Sequence, residues 1–204
     1  MSNTQQIKER LIQRLAASIS GIKEFLMSEA VLVEPLSTPF ILDGGIVKLV
    51  NRKPRVERIS YIGWAGTDFA IFLSGNRKAF SELVSRTRAN IGTPELVTGF
   101  VRTLLDTTAN LNDRYQVLNS SKEIPIRPGC AEEEARRIME VRQRYESEIK
   151  PMTLKLEADD INARIFTLIG QNLVRLDVHV QADGRFSIQD TVLEENLAMP
   201  YVMP

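Results

Sequence analysis

Side chains that bind metals or act as nucleophiles are scarce in this sequence, which has one cysteine, Cys130, and one histidine, His179. A single cysteine excludes an internal disulfide bond, and these two residues are too few for a zinc site. The sequence also lacks the glycine-rich loops that hold phosphates and the GxSxG and HExxH patterns of hydrolases and metalloproteases. We therefore expect no cofactor and no metal, and catalysis is the less favoured interpretation.

Long hydrophobic runs are missing as well. No apolar segment approaches the roughly 20 residues that a membrane-spanning helix needs, and the N-terminus has no basic stretch followed by an apolar core. Hydrophobic residues make up 43% of the chain and charged residues 25%, which is typical of globular proteins. The composition predicts a cytoplasmic protein with no membrane span.

Charge is balanced in total, with 26 basic and 26 acidic residues, but it is sorted along the chain. Nine basic residues face three acidic ones between residues 46 and 90, whereas fourteen acidic residues face nine basic ones from residue 131 onward. This sorting predicts a basic surface at 46–90 and an acidic surface at 131–200, each able to steer another protein or a copy of this chain. The candidate partner-binding residues are Arg52, Lys53, Arg55, Arg58, Arg77, Lys78, Arg86 and Arg88.

The first segment has the apolar spacing of a long amphipathic helix. Hydrophobic residues recur every three or four positions from Ile7 to Ala30, which places them on one face, and Pro35 ends the pattern. Gly21 lies in the middle, where glycine costs about 1 kcal/mol relative to alanine. Because an apolar stripe of this length needs a cover, the pattern predicts a homodimer formed through this helix.

Turn residues divide the middle of the chain into short elements. Asp43-Gly44-Gly45 is predicted to be a hairpin turn between 39–42 and 46–50, because glycine accepts the positive φ angle that such turns require. Thr93, followed by proline and glutamate, has the pattern of a helix start. The elements predicted after the hairpin are strands at 56–62 and 69–73 and helices at 77–88 and 93–119.

The last third has the clearest β pattern. A proline- and glycine-rich segment at 123–129 is predicted to be a linker, and a helix follows at 131–149. Residues 173–181 then alternate strictly between apolar and polar side chains, and glycines 170 and 184 are placed for turns. Such alternation predicts an antiparallel meander with one polar face, and its four strands are 153–157, 163–169, 173–181 and 186–193.

These elements together predict an α+β fold, with a long N-terminal amphipathic helix and antiparallel sheets packed with helices. The C-terminal sheet is the four-stranded meander. A chain of 204 residues suits a single domain. The alternative is two packed sub-units, 1–122 and 130–204, joined by the linker 123–129.

Four groups of residues have the composition of a chemical site. His179 and Asp177 share the polar face of one strand, as a general base and its orienting acid do. Cys130 precedes a helix, where the helix dipole lowers the pKa of a thiol. Acidic residues at 157–160 offer oxygen ligands for a hard cation, and the turn at 75–78 opens a basic helix that suits an anion. In each case a structural role is favoured over the chemical one.

The leading interpretation is a non-enzymatic protein–protein interaction protein, such as an adaptor, an assembly factor or a chaperone-like component. The alternative is a small-molecule-binding protein or an enzyme with a pocket between sheet and helices. A third interpretation is an RNA-associated protein that uses the basic surface, because basic residues near Tyr61, Trp64 and Phe69 suit single-stranded RNA.

Overall fold

The computed structural model describes residues 3–15, 21–53, 56–109, 115–157 and 160–200. The chain divides into two compact units, the first within 1–111 with 182–185 and the second within 112–181 with 186–203. Each unit contains helices and an antiparallel sheet, so the predicted α+β class is confirmed. No described helix is long and apolar enough to cross a membrane.

The first unit is built around one sheet with helices before and after it in the chain. Its elements are α1 (Asn3–Leu15), α2 (Ile22–Met27), β1 (Val31–Pro35), β2 (Gly44–Lys53), β3 (Val56–Ala65), β4 (Phe69–Phe72), α3 (Arg77–Arg86) and α4 (Pro94–Thr108). The four strands are antiparallel and follow the order β1-β2-β3-β4. Thr93 caps α4 by accepting a hydrogen bond from the Leu96 N–H at 3.3 Å, as the sequence predicts.

Different helices cover the two faces of this sheet, because side chains alternate between faces along each strand. Helices α1 and α2 pack on the face that carries Val33, Leu49 and Ile62. Helix α3 packs on the opposite face, where Leu83 lies so close to Gly63 that a Cβ atom has no room there. The sheet is therefore the middle layer of the unit.

The N-terminal helix is shorter than predicted. Helix α1 ends at Leu15, and α2 begins after Gly21, whose φ angle of 74° belongs to the left-handed region. A right-handed helix does not pass through such a residue, and residues 16–20 lie outside the described part of the chain. The apolar stripe itself is confirmed, with Leu11 and Leu26 buried against the unit's own sheet. The stripe therefore gives no support to a homodimer, which stays a prediction.

The predicted hairpin turn at Asp43-Gly44-Gly45 is wrong. Gly44 and Gly45 do not have positive φ angles, and they are the first residues of β2, which pairs with β1 and β3. Gly45 instead allows the side chain of Trp64 to lie close to the backbone of β2. A Cβ atom on it would lie 3.1 Å from the ring of Trp64.

The second unit contains the predicted meander. Its elements are β5 (Tyr115–Leu118), a short 3-10 helix (Ser121–Glu123), α5 (Glu132–Arg144), β6 (Thr153–Glu157), β7 (Asp160–Ile169), β8 (Asn172–Gln181) and β9 (Phe186–Glu194). Strands β6 to β9 pair antiparallel in chain order. Gly170 and Gly184 have φ angles of 59° and 85° at the turns on either side of β8, so the meander and both turns are confirmed.

The region between the two sheets differs from the prediction. The helix that starts after Thr93 ends at Thr108, and residues 115–118 form β5, which pairs with β7. Pairing with a neighbouring strand overrides the helical spacing of these residues. The segment 123–129 lies within the second unit, where Ile124 is fully buried in the core.

Candidate functional site

A pocket of about 160 Å³ lies beside α1 in the first unit, and we call it the arginine–tryptophan pocket. Most of its lining is apolar, but two arginines and the single tryptophan of the chain take part in it. The lining residues are Ile7, Arg10, Leu11, Arg14, Pro35, Leu36, Thr38, Gly44, Gly45, Ile46, Val47 and Trp64.

Helix α1 brings the two arginines of the pocket together. Arg10 and Arg14 are four residues apart, so they are neighbours on the surface of the helix. Leu11, on the apolar stripe of the same helix, is 1% exposed and anchors the helix on the sheet. The position of the arginine pair is therefore fixed by hydrophobic packing.

Arg14 is held by three contacts. Its Nη2 donates a hydrogen bond to the carbonyl oxygen of Gly66 at 2.6 Å, and its Nε donates to that of Thr67 at 3.2 Å. The guanidinium carbon lies 4.7 Å from the centroid of the Trp64 ring, a cation–π distance. Because a guanidinium carries five N–H donors, Arg14 is preorganised and still has donors for a ligand.

The position of Trp64 depends on Gly45. The two residues are directly opposite each other in β3 and β2, so their positions share one face of the sheet. A Cβ atom on Gly45 would lie 3.1 Å from both Cζ2 and Nε1 of the indole. Glycine is therefore the residue that leaves the ring its space over β2.

The pocket has an excess of positive charge. Burial lowers the pKa of Arg14, the charge of Arg10 lowers it further, and Asp68 offsets part of this effect. Arginine nevertheless stays protonated in proteins, so Arg14 is a partly desolvated cation beside a second positive charge, and a bound anion could form charge-assisted hydrogen bonds with it.

The lining of the pocket combines two cations with apolar side chains. Among the described residues it holds no carboxylate, histidine or cysteine, and Thr38 supplies its one hydroxyl group. Two arginines can hold a carboxylate or a phosphate through charge-assisted hydrogen bonds. The aliphatic residues around them can cover an apolar group attached to that anion.

Three of the predicted partner-binding residues, Arg52, Lys53 and Arg58, lie on the β2–β3 hairpin. Arg52 pairs with Glu57 in the ladder, and Arg58 pairs with Asn51. Because successive positions alternate between faces, Arg52 and Arg58 belong to opposite faces of the sheet. Lys53 is the last residue of β2, and Arg55 lies outside the described residues.

Arg86 lies far from the end of the hairpin where β2 turns into β3, which is the end that carries Arg52 and Arg58. Its guanidinium carbon is 5.2 Å from the centroid of the Phe69 ring, and Phe69 pairs with Ala65 at the end of β3. Ala65 and Arg58 are separated by roughly 23 Å along the strand, from the usual rise per residue. The two arginines therefore do not share one patch.

The last three predicted residues belong to α3 and the segment after it. Arg77 is half-buried and Lys78 is exposed in the first turn of α3. Arg88 donates to both carboxylate oxygens of Asp43, at 2.5 and 3.2 Å, and these hydrogen bonds lower the pKa of Asp43. The described members of the predicted set are thus spread over the first unit, and their role in partner binding stays a prediction.

His179 lies on the polar face of the meander with partners other than the predicted one. Asp177 accepts hydrogen bonds from two arginines, at 2.7 and 3.0 Å. His179 Nδ1 is instead 2.9 Å from Asn162 Oδ1, and its Nε2 is 3.3 Å from Asp160 Oδ2. Both ring nitrogens are engaged by other residues, so the pairing of His179 with Asp177, which the sequence offered only as the less favoured alternative, is not formed.

The other predicted chemical groups have structural surroundings. Cys130 is a half-buried free thiol before α5, and the neighbouring Arg127 is 3.2 Å from Glu134 in an ion pair. At the turn predicted to suit an anion, Asn76 caps α3 with its own side chain. Asp159 lies outside the described residues. No cluster of three metal-binding side chains occurs within the described ranges.

Comparison with known proteins places the chain in no family. No protein-family model, no curated protein and no solved structure matches it. A function must therefore be argued from the site itself.

The sequence pattern drew attention to Trp64, as a possible RNA contact, but not to the two arginines that line the pocket with it. Arg10 and Arg14 precede the charge-rich segment and resemble the solvated side of an amphipathic helix. Their spacing of four residues was a visible signal, but the link to Trp64 needs the packing of α1 on the sheet.

Proposed function

We propose that this chain is a binding protein for a small organic anion, held in the arginine–tryptophan pocket. The observation that carries the proposal is the arginine pair, Arg10 and Arg14, beside Trp64 in a lining that is otherwise mostly apolar. The planar fork of arginine matches the geometry of a carboxylate. The absence of an acid–base group among the described lining residues supports binding without chemistry.

The size of the pocket limits its ligand. A volume of about 160 Å³ is smaller than the roughly 300–1,000 Å³ of sites for drug-sized ligands. This favours a carboxylate with a short alkyl chain over a nucleotide. Hexanoate has both features, with a carboxylate for the arginines and an alkyl chain for the aliphatic residues.

The fluorescence of Trp64 tests the proposal, because it is the single tryptophan. Hexanoate should change the emission saturably, with a Kd on the order of 0.1–1 mM from the usual free energy per ligand atom. Hexanamide has nearly the same shape without the charge, so it should bind at least about tenfold more weakly. Equal affinity for the two compounds would contradict the proposal.

A pair of matched variants assigns the binding to the arginines. Arg10→Gln removes an exposed charge from the pocket, and Lys23→Gln removes an exposed charge from α2 outside it. Hexanoate affinity should fall about tenfold in the first variant and stay unchanged in the second. Loss in both would point to the overall charge of the unit instead of this pocket.

A protein partner at the predicted basic residues is a second candidate function. Arg58 and Lys78 are exposed, and neither forms an ion pair within the described part of the chain. Capture of the tagged protein from its native cells at low salt with nuclease should then yield a stoichiometric partner. Because the two residues lie on different faces of the sheet, that partner should be lost on Arg58→Glu or on Lys78→Glu, but not on both, while a complex lost on nuclease treatment would indicate RNA.

A further inference from the structure

Strand β6 of the second unit has a free edge. Its backbone pairs with β7 on one side, and among the described strands β7 is its only partner. On the other side, the backbone groups of residues 153–157 form no hydrogen bond with any described residue. Four of the five residues of β6 are exposed. An exposed and unpaired edge of this kind can accept a strand of another chain.

A row of apolar side chains crosses this sheet and ends at the free edge, and we call it the apolar row. Leu156 on β6 is directly opposite Ile161 on β7, which is opposite Val180 on β8. Val180 in turn is opposite Phe186 on β9. Ile161 and Val180 are 8% and 1% exposed, whereas Leu156 is 64% exposed, more than any other large hydrophobic side chain in the described part of the chain. The apolar row therefore ends at a side chain that is open to solvent.

The other face of β6 carries two opposite charges. Lys155 and Glu157 are two residues apart, so their side chains share a face, and Lys155 Nζ lies 2.5 Å from Glu157 Oε1. Glu157 is also directly opposite Asp160 on β7, and like charges at opposite positions destabilise a sheet. A second cation on the free side of Glu157 would therefore be favourable.

A second copy of this chain supplies both groups when two β6 strands pair antiparallel about Leu156. Side chains at opposite positions share a face, so a symmetric antiparallel pair is centred on one residue. Centring on Leu156 places it opposite its own copy and places Lys155 opposite Glu157 of the other copy, twice. Centring on Lys155 or on Glu157 would oppose like charges, and centring on Leu154 would place Lys155 opposite Thr153. The exposed leucine and the two charges thus favour the same register.

We propose that two copies of this chain form a symmetric dimer through β6, with Leu156 at the two-fold axis. The two C-terminal sheets become one, the apolar row continues from one copy into the other, and the four charges on the opposite face alternate in sign. Lysine on a strand edge usually prevents such pairing. Here Glu157, two residues further on, turns Lys155 into an attractive contact in this register. Because few residues take part, the dimer belongs to the weak and transient class of interfaces.

Sedimentation equilibrium measures the association, and two charge variants test the register. The unchanged protein should form dimers as its concentration approaches about 1 mM, a weak but measurable association. Lys155→Glu or Glu157→Lys opposes like charges twice, so each variant alone should dimerise at least about tenfold more weakly. Lys122→Glu changes an exposed charge outside β6 and should leave dimerisation as it is. An unchanged protein that stays monomeric, or a charge variant in β6 that dimerises fully, would overturn the proposal.

An equimolar mixture of Lys155→Glu and Glu157→Lys is the decisive measurement. In a mixed dimer each residue at position 155 faces an opposite charge at position 157 of the other copy, so dimerisation should return. A mixture that stays monomeric would contradict the register. Leu156→Thr keeps a residue that favours strands but shortens the apolar row, so it should weaken the dimer and keep the thermal midpoint of the monomer. Full dimerisation of this variant would contradict an axis at Leu156.

Discussion

Arg14 is the residue at which the fold and the proposed site meet. Its guanidinium closes the turn after β3 through the carbonyl oxygens of Gly66 and Thr67, and it lies over the ring of Trp64. The same charge, with that of Arg10, is the one that the proposed function assigns to anion binding. A change at Arg14 should therefore affect stability and binding together, whereas a change at Arg10 should affect binding alone.

A double-mutant cycle measures the contact between Arg14 and Trp64. The variants are Arg14→Gln, Trp64→Leu and their combination, compared by urea denaturation. We expect a coupling free energy of about 0.5–1 kcal/mol, the usual range for a partly exposed cation–π pair. The matching cycle of Lys23→Gln with Trp64→Leu should be additive within about 0.5 kcal/mol, because Lys23 is exposed on α2 and does not line the pocket. A coupling near zero in the first cycle would contradict the stacked geometry.

Asp106 on α4 makes the stability of the folded protein depend on pH. The side chain of Asp106 is exposed, but neighbouring protein atoms desolvate it in part and raise its pKa, an effect that the charge of Arg102 partly offsets. The unfolded chain therefore loses this proton first as pH rises above 3.8, the ordinary value, and the folded state loses stability until the pH exceeds the raised pKa. Asp106→Asn should raise the urea midpoint at neutral pH, and the gain should shrink as pH falls toward 3.8.

The pKa of Tyr61 provides an independent check on the charge of Asp106, because the two groups interact. Burial raises the pKa of its phenol, and the charge of Asp106 raises it further. Asp106→Asn should therefore lower the pKa of Tyr61 in an ultraviolet titration, with Tyr61→Phe identifying its signal. An unchanged titration would argue against an interaction between the two groups.

At the scale of elements, the β2–β3 hairpin shapes the arginine–tryptophan pocket, because Gly45 on one strand admits Trp64 on the other. Glycine in a strand interior weakens the strand. Its presence at this position is explained by the close approach of the indole. The shape of the pocket thus depends on the β2–β3 hairpin, through the contact between Gly45 and Trp64.

Gly45→Ala should displace Trp64. The new Cβ atom would lie 3.1 Å from the ring, which must shift by a few tenths of an ångström, so overpacking should destabilise the protein by about 1 kcal/mol and weaken the response to hexanoate. Gly92→Ala is the control, because its Cβ would meet its nearest atom at an ordinary 3.7 Å. Similar effects of the two variants on Trp64 emission would count against the close approach.

Gly21 marks the break between α1 and α2. In a continuous helix, Gly21→Ala would stabilise the protein by about 1 kcal/mol. In the structure the φ angle of Gly21 is 74°, so alanine should destabilise it by about 1–2 kcal/mol, and asparagine should cost less. Denaturation of the two variants distinguishes the broken helix from the predicted one, because the sign of the alanine effect is opposite.

Some elements are visible in the sequence and others are not, for physical reasons. The strands from β6 to β9 were predicted because each pairs with the next in the chain, so alternation and turn glycines carry most of the information. The apolar spacing of residues 115–118 predicts a helix, but these residues form β5. Their partner strand β7 lies about 50 residues away in the sequence, and the spacing of neighbouring residues carries no information about such a distant partner. The role of Gly45 was missed for the same reason.

At the scale of the whole molecule, much of the sorted charge is neutralised within each unit. In the first unit Lys48, Arg86 and Arg88 pair with acidic residues, and in the second Glu132, Glu134, Asp177 and Glu194 pair with basic ones. Most of these pairs are exposed and contribute little to stability. The charge pattern of the sequence therefore overstates the charge available to partners, while Arg10 and Arg14 drew no attention in it.

The most direct test of the proposed function is an experimental structure of the protein with hexanoate at saturating concentration. The account predicts the carboxylate of hexanoate within hydrogen-bond distance of Arg10 and Arg14, with the alkyl chain against Leu11 and Val47 and the indole of Trp64. Hexanoate bound elsewhere, or a pocket that holds only water under these conditions, would contradict it.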